Sequence, residues 1–398
     1  MSDPIVIVSA ARTPIGAMMG ELSGLAGQQL GSIAIRAALE RAGIQAAQVQ
    51  EVIMGCVLPA GQGQAPARQA TLGAGLPPST GATTLNKVCG SGMKSAMLAH
   101  DLLIAGSQDI VIAGGMESMS NAPYLMLKGR GGYRYGHATV YDHMALDGLE
   151  DAYEKTPNGG GKSMGQFAED CAAKYAFTRE QQDAYAIEST RRALAANNDG
   201  SFEWEIAPVT VAGRKGDVVI DKDESPYKAN VEKIPTLKPA FRKDGTVTAA
   251  TSSSISDGAA ALVMMRASTA ARLGCTPLAR MLGHATHSQE PQWFTTAPVG
   301  AIAKLCEKTG WKPGTVDLFE INEAFAVVAM AAMKEHALSH QQVNVHGGAV
   351  ALGHPIGASG ARLIVTLIGA LRKNGLKKGV ASLCIGGGEA TAVAIELL

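Results

Sequence analysis

The chain has 398 residues, enough for two or three domains with a large buried core. Apolar residues make up 46% and charged residues 18%, which excludes a disordered or highly charged protein. Lys plus Arg and Asp plus Glu number 35 each, so bulk charge indicates neither a nucleic-acid partner nor an anionic membrane surface. No apolar run approaches the ~20 residues that span a bilayer, so no membrane partner is expected.

Strand-like and helix-like segments alternate along both ends of the chain. Apolar, β-branched runs typical of buried strands occur at 5–9, 52–57 and 110–113, with a helical pattern over 30–43 that stops at a glycine. Further strand-like runs lie at 278–282, 316–321 and 380–385. This alternation predicts an α/β fold with a largely parallel sheet covered by helices.

The first and last thirds also resemble each other in the placing of glycine, valine and serine. The matches are Gly43 and Val49 with Gly310 and Val316 at an offset of 267 residues, Ser91-Gly92 with Ser359-Gly360 at 268, and 114–117 with 386–389 at 272. Offsets this steady predict a duplicated unit.

The segment between the thirds differs from both, because charged residues, tyrosines and glycine-rich stretches increase there. A helix is predicted over 179–196. We expect an insertion into the first half, which gives three predicted domains: 1–120 with 255–275, then 121–254, then 276–398.

Cysteine usage and the amino terminus bear on location. Six cysteines without a secretion signal are typical of reduced thiols rather than a disulfide framework. The first ten residues carry no basic leader, so we expect a cytoplasmic protein.

Cys89 is the first candidate for chemistry. It lies in the run 86–92, Asn-Lys-Val-Cys-Gly-Ser-Gly, before an apolar helix that extends through Leu103. Unpaired N–H groups and the positive end of the macrodipole stabilise a thiolate at a helix N-terminus, and small neighbours leave room for a substrate. A buried cysteine packed at a glycine turn explains the pattern equally well.

Three further candidates follow. His354 lies in a glycine-rich turn before a helix predicted over 361–371, where an imidazole can accept a cysteine proton. Cys384 ends the predicted last strand, and the glycines after it expose N–H groups suited to a developing oxyanion. Asn322, between a strand and a helix, can orient a water or donate to a carbonyl. The structural alternatives are a turn histidine, a core cysteine and a helix N-cap.

Together these runs resemble the thiolases, the acyl-CoA C-acetyltransferase family. The matching runs are 86–92, 114–118, 322–326, 353–360 and 384–388, in family order over the full length. The resemblance implies a five-layered αβαβα fold, two duplicated βαβαβαββ halves with a loop domain inserted into the first, and a homodimer or homotetramer.

The resemblance also implies a role for each matched residue. Cys89 would be the acylated nucleophile, His354 its activating base and Cys384 the acid/base at the α-carbon. Asn322 would hold a water that binds a thioester oxygen with His354, and the N–H groups of Cys89 and Gly386 would form the other oxyanion hole. The implied reaction is reversible Claisen condensation of two acetyl-CoA to acetoacetyl-CoA and CoA, or thiolysis of a 3-ketoacyl-CoA.

Coenzyme A would enter as substrate, with no covalently bound cofactor and no metal. The positions that match CoA- or acyl-lining residues of the family are Met164, Phe241, Ser253, Leu149 and Phe325, with Lys228 as a candidate for the coenzyme phosphates.

Some positions depart from the family pattern. Ser163 stands where short-chain thiolases often carry histidine, and Phe294 lies where biosynthetic members often have methionine. Neither is a catalytic position. The context of Lys87 and Met164 is more similar to acetoacetyl-CoA thiolases than to long-chain enzymes. A short-chain preference is therefore expected, and a broader-chain thiolase of fatty-acid β-oxidation is the alternative.

Three other functions share some of these features. A β-ketoacyl synthase shares the acylated cysteine but usually decarboxylates malonyl thioesters with two histidines or a His–Asn pair, which leaves Cys384 unexplained. A papain-like hydrolase does not suit the duplicated halves, and a non-catalytic CoA or lipid carrier predicts binding without turnover. The spacings of His336 with His340 and of His284 with His287 lack the glutamate of a zinc hydrolase motif.

Overall fold

The computed structural model describes residues 3–157, 160–213 and 216–398. The first half runs through β1 (Ile5–Arg12), β2 (Gly16–Ala17), α1 (Gly27–Ala42), β3 (Glu51–Gly55), α2 (Pro66–Gly73), β4 (Gly81–Leu85), α3 (Ser91–Ile104) and β5 (Ile110–Ser118). The middle segment contains β6 (Tyr124–Leu125), β7 (Tyr141–Asp142), a π-helical turn (Ala145–Leu149), β8 (Glu150–Lys155), β9 (Gly161–Ser163), α4 (Met164–Tyr175), α5 (Arg179–Asn198), β10 (Val209–Val211), β11 (Val218–Ile220) and α6 (Glu224–Lys228).

The chain then returns to the first half and enters the second. β12 (Ser256–Arg266) and α7 (Ala267–Leu273) complete the first half. The second half consists of β13 (Ala279–Ser288), α8 (Ala297–Thr309), β14 (Leu318–Ile321), α9 (Ala326–His336), α10 (Ala349–Leu352), α11 (Ile356–Asn374), β15 (Lys378–Ile385) and β16 (Glu389–Leu397).

The central sheet is mixed rather than largely parallel, which corrects the sequence expectation. Its strand order is β14-β15-β16-β13-β1-β12-β5-β3-β4, with β2 beside β12. Among the strands of this sheet that the structure describes, only the pairs β14 with β15, β3 with β4 and β3 with β5 are parallel. Strands buried on both faces form continuous apolar runs whichever way their neighbours run, so the apolar pattern did not distinguish the two arrangements.

The two halves are related element by element. Val52 of β3 pairs in parallel with Ile112 of β5, and Phe319 of β14 pairs in parallel with Val380 of β15. These partners are 267 and 268 residues apart between the halves, so the duplication holds. The match of 114–117 with 386–389 at 272 is therefore out of structural register and was wrong.

Five layers result from this duplication. α1 and α2 cover one face of the first half-sheet, and α8 and α9 cover the outer face of the second. α3 and α11 pack against each other between the half-sheets. The alternation along β1 fits this arrangement, because Ile5 and Ile7 face the α3/α11 layer while Val6 and Val8 face α1.

The middle segment is tied to the second half through a buried carboxylate. Glu323 accepts hydrogen bonds from Tyr185 Oη at 2.9 Å and Ser189 Oγ at 2.7 Å, both on α5, and from Asn344 Nδ2 at 2.8 Å. The Val350 N–H donates a fourth hydrogen bond to this carboxylate. Together the four hydrogen bonds offset the cost of burying its charge. Among the described residues, no helix is both long and apolar enough to cross a membrane.

Candidate active site

Cys89 lies on a strained turn at the start of α3. Val88 has φ of 47°, a left-handed conformation that a β-branched residue rarely adopts. The turn is held by Ser91, whose Oγ accepts from Lys87 N–H at 2.8 Å and donates to the Val88 carbonyl at 2.6 Å. These bonds fix the backbone on both sides of Cys89 and direct its thiol towards a pocket.

Glycines allow the Cys89 and His354 loops to meet. A Cβ on Gly92, in the first turn of α3, would lie 2.8 Å from the backbone nitrogen of Ala361 on α11. Gly360 similarly abuts the backbone of Met93. The two helix N-termini can therefore approach to backbone contact, which brings both loops to one pocket.

The helix after His354 begins earlier than expected. α11 starts at Ile356 instead of residue 361, because the small residues 357–360 pack in helical conformation against α3 and β5. Tertiary contact overrides the low helix propensity of glycine here.

The hydrogen bonds of His354 define which ring nitrogen is the base. Ser359 Oγ is 2.5 Å from Nδ1 and donates its own proton to the Pro355 carbonyl at 3.0 Å. Nδ1–H must therefore donate to Ser359, which leaves Nε2 unprotonated and able to accept a proton. Burial, helped by the charge of Arg362, lowers the pKa of His354 from 6.5 to about 3.

Asn322 lies beside this base. Its Nδ2 is 3.4 Å from His354 Nε2, and its Oδ1 is buried with no hydrogen-bond partner within the described residues. A buried amide oxygen left unpaired is suited to receive a water. Asn322 sits three residues before Phe325, the N-cap residue of α9, so the N-cap alternative does not hold.

Burial and nearby N–H groups change the pKa of the Cys89 thiol in opposite directions. Burial raises its pKa to about 11, although the N–H groups of Gly386 and of Cys89 itself point at the sulfur and oppose the rise. At neutral pH the resting pair is therefore a thiol and a neutral imidazole. That these two N–H groups form an oxyanion hole for a bound carbonyl oxygen stays a prediction.

Cys384 lies next to Cys89 at the end of β15. It is fully buried and packs with Phe294 and Phe325. Burial, with Cys89 nearby, raises the pKa of Cys384 well above its usual range. β15 is the penultimate strand, since β16 follows the glycine turn and pairs with it antiparallel, so the expectation that Cys384 ends the last strand was wrong.

The pocket above these groups has a volume of about 280 Å³ and an apolar lining. Phe241 lies on Gly165 at the start of α4, where any side chain would clash with its ring, and its ring meets Phe325 edge-on at 5.9 Å. The lining comprises Cys89, Gly148, Leu149, Ser163, Met164, Gly165, Phe241, Ser252, Ser253, Ile255, Phe294, Ala324, Phe325, His354 and Ile356.

The five predicted lining residues gather here. Leu149, Met164, Phe241, Ser253 and Phe325 all line the pocket. Ser253 is anchored by two hydrogen bonds to the Ala324 carbonyl, from N–H and Oγ, each 3.0 Å. Lys228, the candidate for the coenzyme phosphates, lies outside this pocket on α6, where its side chain is 63% exposed and pairs with Glu224. Its role with the phosphates stays a prediction.

Sequence reasoning missed two supporting residues. Ser359 belongs to the internal repeat and to the run 353–360, and neither pattern indicates a role for it, although a hydroxyl five residues after a loop histidine can reach its ring. Glu117 is an acidic residue in the otherwise uncharged strand β5, and this could have indicated a buried structural carboxylate. Its buried carboxylate accepts N–H groups from Val57, Leu58 and Gly357 at 2.9–3.1 Å, so it ties β5 to the base of the His354 loop.

Comparison with known proteins identifies the family. Residues 5–268 match the model for the thiolase N-terminal domain, and residues 275–397 match that for the thiolase C-terminal domain. The chain belongs to the thiolase family. The resemblance seen in the sequence is thereby confirmed.

Individual relatives of this thiolase agree over the whole length. It is 50% identical to "Acetyl-CoA acetyltransferase 2" of Arabidopsis thaliana, covering 99% of this chain and 97% of that protein. It is 48% identical to "Acetyl-CoA acetyltransferase" of Cupriavidus necator, covering 98% and 99%.

Solved structures confirm the predicted fold. The Ascaris suum Acat5 thiolase in complex with coenzyme A matches with a TM-score of 0.93 and 42% identity, covering 99% of this chain and 100% of that one. The Bacillus anthracis acetyl-CoA acetyltransferase matches with a TM-score of 0.96 and 40% identity, covering 100% and 99%. Such likeness favours a thiolase over a β-ketoacyl synthase or a papain-like hydrolase.

Proposed function

We propose that the chain catalyses the reversible Claisen condensation of two acetyl-CoA to acetoacetyl-CoA and CoA through an acyl-Cys89 intermediate. The observation that carries this proposal is the meeting of Cys89 and the unprotonated Nε2 of His354 on one apolar pocket, with Cys384 packed beside it. The names of the relatives support the same activity.

The first half-reaction acylates Cys89. His354 Nε2 takes the thiol proton as the sulfur attacks the thioester carbonyl, and the oxyanion is met by the N–H groups of Cys89 and Gly386. The C–S bond to coenzyme A then breaks, and Cys384 gives its proton to the leaving thiolate. The products are free CoA, acetyl-Cys89, an imidazolium and a Cys384 thiolate.

The second half-reaction forms the carbon–carbon bond. The Cys384 thiolate takes an α-proton from a second acetyl-CoA, whose enolate oxygen binds His354 and a water held by Asn322 Oδ1. The enolate carbon attacks the acetyl carbonyl, the Cys89–acetyl bond breaks, and the imidazolium returns its proton to Cys89. Thiolysis follows the same steps in reverse.

A short acyl chain is the preferred substrate in this proposal. Phe294 and Phe325 close the pocket near Cys384, and the ring of Phe294 is held edge-on by Phe167 at 6.0 Å. Bulky, fixed rings restrict the space beyond the reacting carbons. A broader-chain thiolase is the second candidate, and the ratio of rates on two chain lengths separates them.

The setting of the enzyme is also a proposal. All six cysteines are free, which fits a reducing compartment and supports a cytoplasmic location. Assembly into a homodimer or homotetramer, and a place in fatty-acid metabolism, rest on the family resemblance.

The test is CoA-dependent cleavage of acetoacetyl-CoA and of 3-ketooctanoyl-CoA by the purified chain. We expect cleavage of both with a clear preference for the shorter substrate, and loss of activity in Cys89→Ser. Equal or better cleavage of the longer substrate would support the broader-chain enzyme. CoA binding by folded protein without any turnover would support a carrier and contradict the proposal.

A further inference from the structure

A second cluster of ligating side chains lies at the far end of the helix that carries Cys89 at its start. It consists of His100 and Asp101, near the C-terminus of α3, and His284 on β13. Cys89 lies two residues before α3, and His100 lies nine residues, about 14 Å, along the helix from its first residue Ser91. His100 is buried, His284 is 12% exposed at its side chain, and Asp101 is half exposed.

The three side chains converge on one point. Asp101 Oδ1 is 2.8 Å from His284 Nε2 and 3.3 Å from His100 Nδ1, and the three ligand atoms all lie within 4.8 Å of one another. The imidazole rings stand almost perpendicular, at 88°, with their centroids 5.2 Å apart. Zinc bonds of about 2.0–2.2 Å in a tetrahedron separate ligand atoms by about 3.3 Å. The cluster is therefore close to the spacing that zinc requires.

We propose that His100, Asp101 and His284 form a binding site for Zn²⁺ that is separate from the active site. Two imidazoles and one carboxylate are a ligand set that zinc accepts, with a fourth position left for water. Without a metal, Asp101 Oδ1 and His284 Nε2 are in direct hydrogen-bond contact at 2.8 Å, where the ion would lie between them. A neutral imidazole ligates through Nε2 with its single proton on Nδ1, so binding moves the proton to the other ring nitrogen, and the exposed Asp101 carboxylate can move outward to make room for the ion.

The surrounding charge limits the affinity without excluding the ion. Lys308 Nζ donates to the His284 carbonyl at 3.2 Å, and Lys94 lies within electrostatic range of His284. Asp101 is the carboxylate of the cluster, so the occupied site keeps a net positive charge. A soft, imidazole-preferring ion such as Zn²⁺ suits this site, whereas Mg²⁺ or Ca²⁺, which take oxygen ligands, do not.

Occupancy would connect the two halves of the fold. α3 belongs to the first half and β13 to the second, so an ion bound by residues of both would link the two halves. A ligand that binds the folded state alone raises the melting temperature. The site therefore predicts a thermal effect that does not depend on catalysis.

The test uses metal-stripped full-length protein in a Cys89→Ser background, because the catalytic thiol and His354 can themselves attract zinc. Zn²⁺ alone is titrated by calorimetry at neutral pH, and Co²⁺ is added separately as a spectroscopic probe. The variants are His284→Ala, His100→Ala and Asp101→Asn. The matched control is His287→Ala, on the same strand, whose ring pairs with Gln289 instead.

We expect one equivalent of Zn²⁺ per chain, a rise in melting temperature, and Co²⁺ absorption typical of four-coordination without a thiolate charge-transfer band. Both histidine variants should lose all three signals, Asp101→Asn should weaken them, and His287→Ala should keep them. No binding by the parent, or unchanged binding in His284→Ala, would overturn the proposal. If a histidine variant does not fold, unchanged binding in the exposed Asp101→Asn variant overturns it.

Discussion

Ser359→Ala tests how the base of the active site is prepared. The Ser359 hydroxyl accepts Nδ1–H of His354 at 2.5 Å while donating to the Pro355 carbonyl. Alanine removes the acceptor and leaves a buried N–H without a partner. The imidazole can then move its proton to Nε2, the position that must be vacant when Cys89 is activated.

The size of the effect follows from the lost hydrogen bond. Leaving a buried donor unsatisfied costs about 1–3 kcal/mol. In the transition state the ring becomes an imidazolium, so the full cost falls on that state. At 1.36 kcal/mol for each factor of ten, kcat should fall about 5- to 150-fold. KM should change little, because Ser359 does not line the pocket.

The assay is steady-state cleavage of acetoacetyl-CoA, together with the rate at which iodoacetamide alkylates Cys89. Both rates should fall in Ser359→Ala. Ser95→Ala is the matched control, since Ser95 is an equally buried helical serine whose hydroxyl bonds the Gly92 and Gly114 carbonyls, away from His354. A Ser359→Ala enzyme within about twofold of the parent, or a loss equal to that of Ser95→Ala, would refute the tautomer argument.

Further predictions concern the second cysteine, the pocket wall and pH. Cys384→Ala should abolish condensation while leaving slow acylation by acetyl-CoA measurable by mass spectrometry; full condensation activity would contradict its role. Gly165→Ala should push the Phe241 ring aside, raise KM for CoA thioesters and cost about 1–3 kcal/mol in unfolding free energy by denaturation, whereas Gly24→Ala, in open space, should do neither. Because burial lowers the pKa of His354 from 6.5 to about 3, the unfolded chain binds more protons between those pH values. Stability should therefore fall as pH drops through this window, and His354→Asn should flatten the slope; an unchanged slope would contradict the assignment.

Much of the scaffold could be predicted from local pattern. The glycines at 43 and 310 end α1 and α8 in the left-handed conformation, so the strongest repeat signal marks a true structural equivalence. Apolar runs predicted the positions of β1, β3, β5, β13, β14 and β15 but missed β4 and β16. They did not predict strand direction, because β12 and β16 join their neighbours through long-range antiparallel pairing that leaves no local trace.

The candidate site was predictable in part, because most of its residues lie in runs that can be recognised along the sequence. Cys89, Asn322, His354 and Cys384 occupy runs with a recognisable family pattern. The partner of His354 Nδ1 was not, since Ser359 reaches the ring only because glycine-rich residues 357–360 fold into α11 against α3. For Lys228, the structure shows an exposed ammonium on α6 paired with the buried carboxylate of Glu224, which leaves its predicted contact with the coenzyme phosphates a prediction.

Acylation of Cys89 is the central claim, and one measurement tests it directly. The purified chain is mixed with acetyl-CoA, quenched in acid and analysed by intact mass spectrometry and peptide mapping. We predict the added mass of one acetyl group, located on Cys89, removed by later addition of CoA and absent in Cys89→Ser. An acetyl group on Cys384 instead, or turnover of acetoacetyl-CoA by the Cys89→Ser protein at the parent rate, would contradict the mechanism.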